Sequence, residues 1–392
     1  MKITPSRRLT KLGSYAFADV QREVEKLRSR GVTPIDFGVG DPLLPTPEFI
    51  RQACREGVER RASEGYPPYE GTPEFRGAVA DWTRRRFGVD LDPETEITST
   101  VGSKEGIFNF AEGFVDPGDL VLLPTPGYPP YGRGTLFAEG EPWVYPLVSE
   151  SGFLPDLGAI PDDVARRAKV LWINYPNAPT GRVAPASFFE EAAAFGRERG
   201  ILVASDEAYS EIFFTDEPPH SILEFGKENV VAVHSLSKRS AMTGYRVGWV
   251  AGDAEAVAAF RKVKTNVDSG TPRFVQDAAV AALGDETHVR AMRRDYREKG
   301  DLLLAAFEKL GLEICRPDAT LYIWQKVPME ALEFCKRLLS PEVAVVATPG
   351  DWISEPTADG INPGKGHVRF ALVPPLEKVR EAARRIEGMD LA

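Results

Sequence analysis

Val230-Val-Ala-Val-His-Ser-Leu-Ser-Lys238-Arg239 holds two kinds of chemistry in one short stretch. It opens with an apolar run that shows no polar alternation, the pattern of a strand buried on both faces. It then turns polar, with serines, a lysine and an arginine in close succession. The runs Leu120-Val-Leu-Leu123, Val170-Leu-Trp-Ile173 and Ile201-Leu-Val-Ala204 have the same form. They lead into Pro124-Thr-Pro-Gly-Tyr128-Pro-Pro-Tyr131, Asn174-Tyr-Pro-Asn177-Ala-Pro-Thr-Gly181 and Ser205-Asp206-Glu-Ala-Tyr209. Helical patterns lie between them, such as Pro185 to Arg199 with Gly200 as its stop signal. This rhythm predicts an α/β fold, a mostly parallel sheet covered by helices. Such sheets bind ligands beyond the carboxyl ends of their strands. Each polar segment alone reads as an ordinary turn. Their recurrence after successive strands points to one site able to hold an anion, a ring and a proton.

The chain has 392 residues, which predicts a large domain and a smaller one. After about residue 280 the rhythm changes. Thr287 to Leu310 reads as one long charged amphipathic helix. Strand candidates follow at Thr320 to Gln325, Ala344 to Thr348 and Val368 to Val373, with a closing helix from Leu376 to Ile386. The expected division is 46–280 for the large domain and 1–45 with 281–392 for a smaller α+β domain. The content of 43% hydrophobic and 27% charged residues excludes a largely disordered chain. Its 48 Lys and Arg against 58 Asp and Glu give a net charge of −10, which disfavours binding to nucleic acid or an anionic membrane. No apolar run reaches membrane length, and Met1 to Val20 lacks the apolar core of a signal peptide. Cys54, Cys315 and Cys335 form no CxxC spacing, so a reduced, cytoplasmic setting is expected. His220, His234, His288 and His367 show no ligand spacing, and no metal is expected.

Val101-Gly102-Ser103-Lys104-Glu105-Gly106 leads into an apolar-periodic helix. Backbone amides at a helix start, with a hydroxyl beside them, suit a phosphate dianion. Taken alone, the segment reads better as a plain serine cap. It lacks the Lys-Ser/Thr ending of a nucleotide P-loop, and no GxGxxG follows a strand, so nucleotide hydrolysis and dinucleotide binding lose ground.

Ser235-Leu-Ser237-Lys238 followed by Arg246, with Asp206-Glu-Ala-Tyr209 upstream, resembles the signature of fold-type I pyridoxal-phosphate aminotransferases. Tyr66-Pro-Pro-Tyr-Glu-Gly71-Thr-Pro-Glu-Phe-Arg76, Pro179-Thr-Gly181 and Gly366-His-Val-Arg369 match in the same order. The resemblance covers about residues 10 to 388. It is nearest to succinyldiaminopimelate and LL-diaminopimelate aminotransferases, through His234-Ser-Leu-Ser-Lys-Arg-Ser240 and Gly360-Ile-Asn-Pro-Gly-Lys-Gly-His-Val-Arg-Phe-Ala-Leu-Val373.

The resemblance implies a seven-stranded sheet between helices, pyridoxal 5'-phosphate as cofactor, and a role for each matching residue. Lys238 would carry the cofactor and shuttle the substrate proton, because an amine of depressed pKa is both nucleophile and base. Asp206 would keep the pyridine nitrogen protonated, Tyr209 would bond the ring hydroxyl, and Tyr128 would stack on the ring. Arg246, Ser235, Ser237 and the Gly102-Ser103-Lys104 turn would hold the phosphate. Arg369 and the backbone of Gly40 would hold the substrate α-carboxylate. Tyr66 would reach the neighbouring subunit's phosphate, implying a homodimer with shared sites.

One departure matters. Family members carry Asn immediately before Pro-Thr-Gly, where this chain has Ala178. Either Asn177 takes over through a shifted loop, or Tyr209 works without that partner. A second departure is Leu43, where an acidic residue is frequent. The implied activity is ping-pong transfer between an amino acid and a 2-oxo acid, with diaminopimelate or its succinyl derivative as donor and 2-oxoglutarate as acceptor. A broad-range or aspartate aminotransferase, a lyase of the same fold and a cofactor-binding regulator are the competing readings. Donor selection would come from loops around Ser14 to Val20 and the partner subunit, with Arg22, Lys104, Arg133 and Arg273 as candidate partners of a distal carboxylate.

Overall fold

Unbroken apolar strands escape water only if both faces of their sheet are covered, and here both are. The computed structural model describes residues 3–12 and 18–391. Its first strands are β1 (Ile35–Asp36), β2 (Ile97–Thr100), β3 (Leu120–Thr125), β4 (Glu141–Pro146), β5 (Ala168–Asn174) and β6 (Leu202–Asp206). They are followed by β7 (Val230–Ser235), β8 (Gly248–Gly252), β9 (Tyr322–Lys326), β10 (Val345–Val346), β11 (Thr348–Pro349) and β12 (His367–Ala371). A 7-stranded sheet runs in the order β2-β8-β7-β6-β5-β3-β4, and only β8 is antiparallel to its neighbours.

Alternate residues of the buried strands feed opposite cores. Leu122, Leu171, Val203 and Val230 pack with the helices Pro73–Phe87, Ala186–Arg199 and Arg273–Leu283. Val121, Val170, Ala204 and Val231 pack on the other face, against Ser103–Phe110 and Ala254–Val267. Because β8 is reversed, it begins at the edge where β2 and β7 end; Gly248 is in register with both Thr100 and Ser235. Arg246, just before β8, therefore arrives where the loops after the parallel strands converge.

The expected strands from Leu120, Val170, Ile201 and Val230 became β3, β5, β6 and β7, and the helix Ala186–Arg199 ends at Gly200 in the left-handed region, φ 66°. The Ala344–Thr348 candidate divides in two. β10 pairs with β1, whereas β11 pairs with β12. β11, β12 and β9 form a 3-stranded antiparallel sheet beside the long helix Thr287–Lys309, which packs on Leu376–Glu387. Ile35 and Phe37 share the hydrophobic core of that sheet and those helices, tying the segment before Gly40 to it. No described helix is long and apolar enough to cross a membrane.

Candidate active site

Two helix starts and one arginine meet at the sheet edge. Gly102, at φ 74°, caps the helix Ser103–Phe110. Arg246 also sits in the left-handed region, at φ 56°, and folds its guanidinium back so that Nη1 donates to Thr243 O at 2.9 Å. A Cβ at position 102 would lie 2.1 Å from Arg246 Nη2, so glycine is what lets the guanidinium lie along the turn. On the adjacent strand, Ser235 Oγ accepts the Ser237 amide at 3.2 Å and caps the short helix Leu236–Arg239 that presents Lys238. Gly248 brings these parts together: a Cβ there would meet His234 O at 2.4 Å and Ser103 N at 3.2 Å. Amides, hydroxyls and a guanidinium thus surround a space suited to a phosphate dianion. Lys104 is exposed on the first turn of its helix.

Asp206 ends β6 and is only 5% exposed. Its Oδ2 accepts from the Tyr131 hydroxyl at 2.7 Å and its Oδ1 from the Ala208 amide at 3.1 Å. Burial pushes the carboxyl above its ordinary pKa, and the Tyr131 and Ala208 bonds oppose that push. Among the described residues no lysine or arginine pairs with this buried carboxylate, which fits it to a cation supplied from outside the chain, as a protonated ring nitrogen would be. Tyr131 is itself locked, stacked on Trp172 with ring centroids 4.8 Å apart. Tyr128 stands edge-on to Tyr131 at 5.9 Å and remains 38% exposed, leaving ring surface for a planar ligand.

Lys238 Nζ donates to Gly40 O at 2.5 Å, linking the segment after β1 to the helix after β7. Burial pushes the amine below its ordinary pKa; Tyr322 and Asp41 oppose the shift, while Arg246 and Arg369 reinforce it. A lysine so placed is more readily neutral, the form that attacks carbonyls and accepts protons. Arg369 reaches the same space from β12. Its Nη2 donates to Gly38 O at 2.6 Å, its guanidinium lies 4.9 Å from the centre of the Tyr322 ring, and its Nε is buried without a partner. That orphaned donor fits a carboxylate. Gly40 is required here because a Cβ would fall 1.9 Å from the Tyr322 hydroxyl.

The structure therefore brings Gly40, Gly102, Ser103, Tyr128, Asp206, Tyr209, Ser235, Ser237, Lys238, Arg246 and Arg369 to one region. Asn177 faces its own turn. Its Nδ2 donates to Asn174 O at 3.2 Å, and its Oδ1 accepts from Thr180 Oγ1 at 2.7 Å and Thr180 N at 3.2 Å. The residue is fully buried, and both polar atoms of its amide bond within the turn. Tyr66 stands apart at 84% exposed, with its carbonyl accepting from Arg273 Nη2 at 3.1 Å. Arg273 also pairs with Glu64 at 3.2 Å. Of the Ser14–Val20 loop, residues 14–17 lie outside the described residues.

Three site residues were not singled out from sequence: Tyr131, Asn174 and Tyr322. Asn174 Nδ2 donates to Asp206 O at 2.8 Å and its Oδ1 accepts the Ala178 amide at 3.0 Å, so it joins two of the converging loops. Tyr131 and Asn174 stand in the polar segments after their strands, which is the signal that could have found them. Tyr322 lies in an apolar strand that gives no such signal.

Residues 32–386 match the family Aminotransferase class I and II. The chain is 46% identical to the LL-diaminopimelate aminotransferase of Aquifex aeolicus (strain VF5), over 98% of this chain and 99% of that one. It is 45% identical to the LL-diaminopimelate aminotransferase of Desulforudis audaxviator (strain MP104C), over 99% and 98% of the two chains. Among solved structures, a probable N-succinyldiaminopimelate aminotransferase from Thermus thermophilus superimposes with a TM-score of 0.86 at 36% identity, covering 95% of this chain and 99% of that one. With the sheet-edge geometry and these likenesses together, the chain belongs to the class I and II aminotransferases and is a pyridoxal-phosphate-dependent transaminase.

Proposed function

We propose that this transaminase takes its amino group from LL-diaminopimelate or its N-succinyl derivative and passes it to 2-oxoglutarate. The donor class is supported by full-length similarity to LL-diaminopimelate aminotransferases. The observation that carries the chemistry is the meeting of Lys238, the cation-free carboxylate of Asp206 and the orphaned Arg369 Nε at one sheet edge. Pyridoxal phosphate, when bound, supplies a conjugated ring that accepts the electrons released at the substrate Cα. Asp206 holds a proton on the ring nitrogen and so keeps that ring electron-poor. Arg369 and the Gly40 backbone fix the α-carboxylate, which sets the Cα–H bond towards Lys238. Lys238 Nζ would take the Cα proton and return it to the cofactor carbon on the far side of the amino nitrogen, and the reverse sequence with a 2-oxo acid would complete the exchange. Ser103, Ser235, Ser237, Arg246 and the Gly102 turn anchor the phosphate, with Lys104 at its rim, while Tyr128 stacks on the ring and Tyr209 bonds its hydroxyl.

The unit is a cytoplasmic homodimer in which Tyr66 completes the partner's phosphate site; its 84% exposure in a single chain supports this role. The division into 46–280 and 1–45 with 281–392 is supported by the separate hydrophobic cores of the two sheets. Donor choice is tested by comparing kcat/KM for LL-diaminopimelate, its N-succinyl derivative, aspartate, alanine and phenylalanine. The diaminopimelate donors should lead by at least about tenfold, roughly 1.4 kcal/mol of transition-state discrimination. A lead for aspartate or phenylalanine would overturn the donor assignment and leave transamination standing.

A further inference from the structure

Tyr322 emerges at the centre of the site, although only its position in a strand was expected. Its hydroxyl lies 3.2 Å from that of Tyr209, and the two rings meet edge to face with centroids 5.8 Å apart. Among the described residues Tyr209 is the one hydrogen-bond partner of the Tyr322 hydroxyl. Arg369 covers the Tyr322 ring, and the missing side chain at Gly40 makes room for its hydroxyl. The side-chain amide that usually precedes Pro-Thr-Gly in the family is missing: position 178 is alanine, and the Asn177 amide bonds within its own turn. A tyrosine hydroxyl has one proton. If Tyr209 spends that proton on the cofactor's ring oxygen, the bond between the tyrosines must run from Tyr322 to Tyr209. A donor arriving at its oxygen polarises the Tyr209 hydroxyl and strengthens the bond it gives onward.

We propose that Tyr322 is a positioning residue that donates to Tyr209, fixes the direction of the Tyr209 proton, and so compensates for the absent amide at position 178. The proposal rests on the reading that Tyr209 bonds the ring hydroxyl of the cofactor. Tyr322→Phe keeps the ring and its packing under Arg369 and removes only the donor. The chargeable groups facing the pair are Asp206 at the end of β6, Lys238 from the short helix after β7, Tyr128 from the segment after β3, Arg246, Asp41, Arg369 from β12, and Tyr296 from the long helix behind Tyr322. None of these is altered by the substitution.

The test is the pH titration of the visible absorption band of the cofactor-loaded protein. A donor to the ring oxygen draws off negative charge that would otherwise hold the chromophore's proton, so losing a donor raises the midpoint. Tyr322→Phe should raise it by about half a unit to one unit, the range of one neutral hydrogen bond. Adding Ala178→Asn to Tyr322→Phe should bring the midpoint back down, and Tyr322→Phe should add nothing in a Tyr209→Phe background. An unchanged midpoint in Tyr322→Phe, together with a raised one in Tyr209→Phe, would overturn the relay alone. If Tyr209→Phe itself moves nothing, the assignment of Tyr209 to the ring hydroxyl fails, and the relay fails with it. An equal Tyr322→Phe shift with and without the Tyr209 hydroxyl would also overturn the relay.

Discussion

Asp206 is asked to stay anionic in a place that disfavours charge. Its burial raises its pKa, and within the chain the Tyr131 hydroxyl opposes that rise most, followed by the Ala208 amide and His234. Removing the phenol should therefore weaken the anion that steadies the ring nitrogen. Tyr131→Phe should lower kcat about tenfold or more, since a hydrogen bond to a charged group contributes roughly 1.5–3 kcal/mol. The sign of its pH dependence follows. A carboxyl with a higher pKa takes up its proton at a higher pH, so the deficit should widen as pH falls. A pH–rate profile lying on the parent's at every pH would show that Tyr131 merely packs against Trp172. Asp206→Asn removes the charge outright and should be the more severe variant wherever the carboxyl is ionised, with a rate loss above about tenfold.

At the scale of elements, the phosphate end depends on turns whose backbones only glycine tolerates. Gly102→Ala puts a side chain in the left-handed region, at about 1–2 kcal/mol, and drives its methyl into the Arg246 guanidinium. Gly118→Ala, at φ 87°, is also a substitution at positive φ but has no atom within 4 Å of the new methyl. The dissociation constant for pyridoxal phosphate should therefore rise at least about tenfold in Gly102→Ala and stay near the parent's in Gly118→Ala. Equal losses in both would mean that strain, not displacement of Arg246, is responsible. The same elements show what a sequence can disclose. β3, β5, β6 and β7 are legible because burial on both faces leaves no polar position to break the apolar run. β2, read as Ile97-Thr-Ser-Thr100, is fully buried yet polar, β4 is a partly exposed edge strand holding Pro142 and Pro146, and β8 is bounded by glycines. β2 thus offers one apolar residue, and β4 and β8 only three-residue apolar runs, too short to stand out. Lys238, Asp206 and Arg369 were legible from motif spacing. Tyr322 was not, because its role comes from the approach of β9 to Gly40, a contact between residues distant in sequence.

At the scale of the whole molecule, a tyrosine left 84% exposed and apart from the site of its own chain is better understood as part of an assembly. If Tyr66 serves the partner's phosphate, Tyr66→Ala and Lys238→Ala subunits should complement each other. Their hybrid contains one site with both native residues, so refolding the two together should yield more activity than the average of the separate variants. Activity at that average would place Tyr66 outside the partner's site. Ping-pong transfer requires a single sheet edge, centred on Lys238, to store an amino group between two substrates. The direct test mixes the cofactor-loaded protein with LL-diaminopimelate alone and follows the visible spectrum. The bound cofactor should convert stoichiometrically from its aldehyde to its amine form without any acceptor and revert on adding 2-oxoglutarate, with neither change at a comparable rate in Lys238→Ala. A spectrum that stays fixed until donor and acceptor are both present, or conversion that proceeds unimpaired without Lys238, would contradict it.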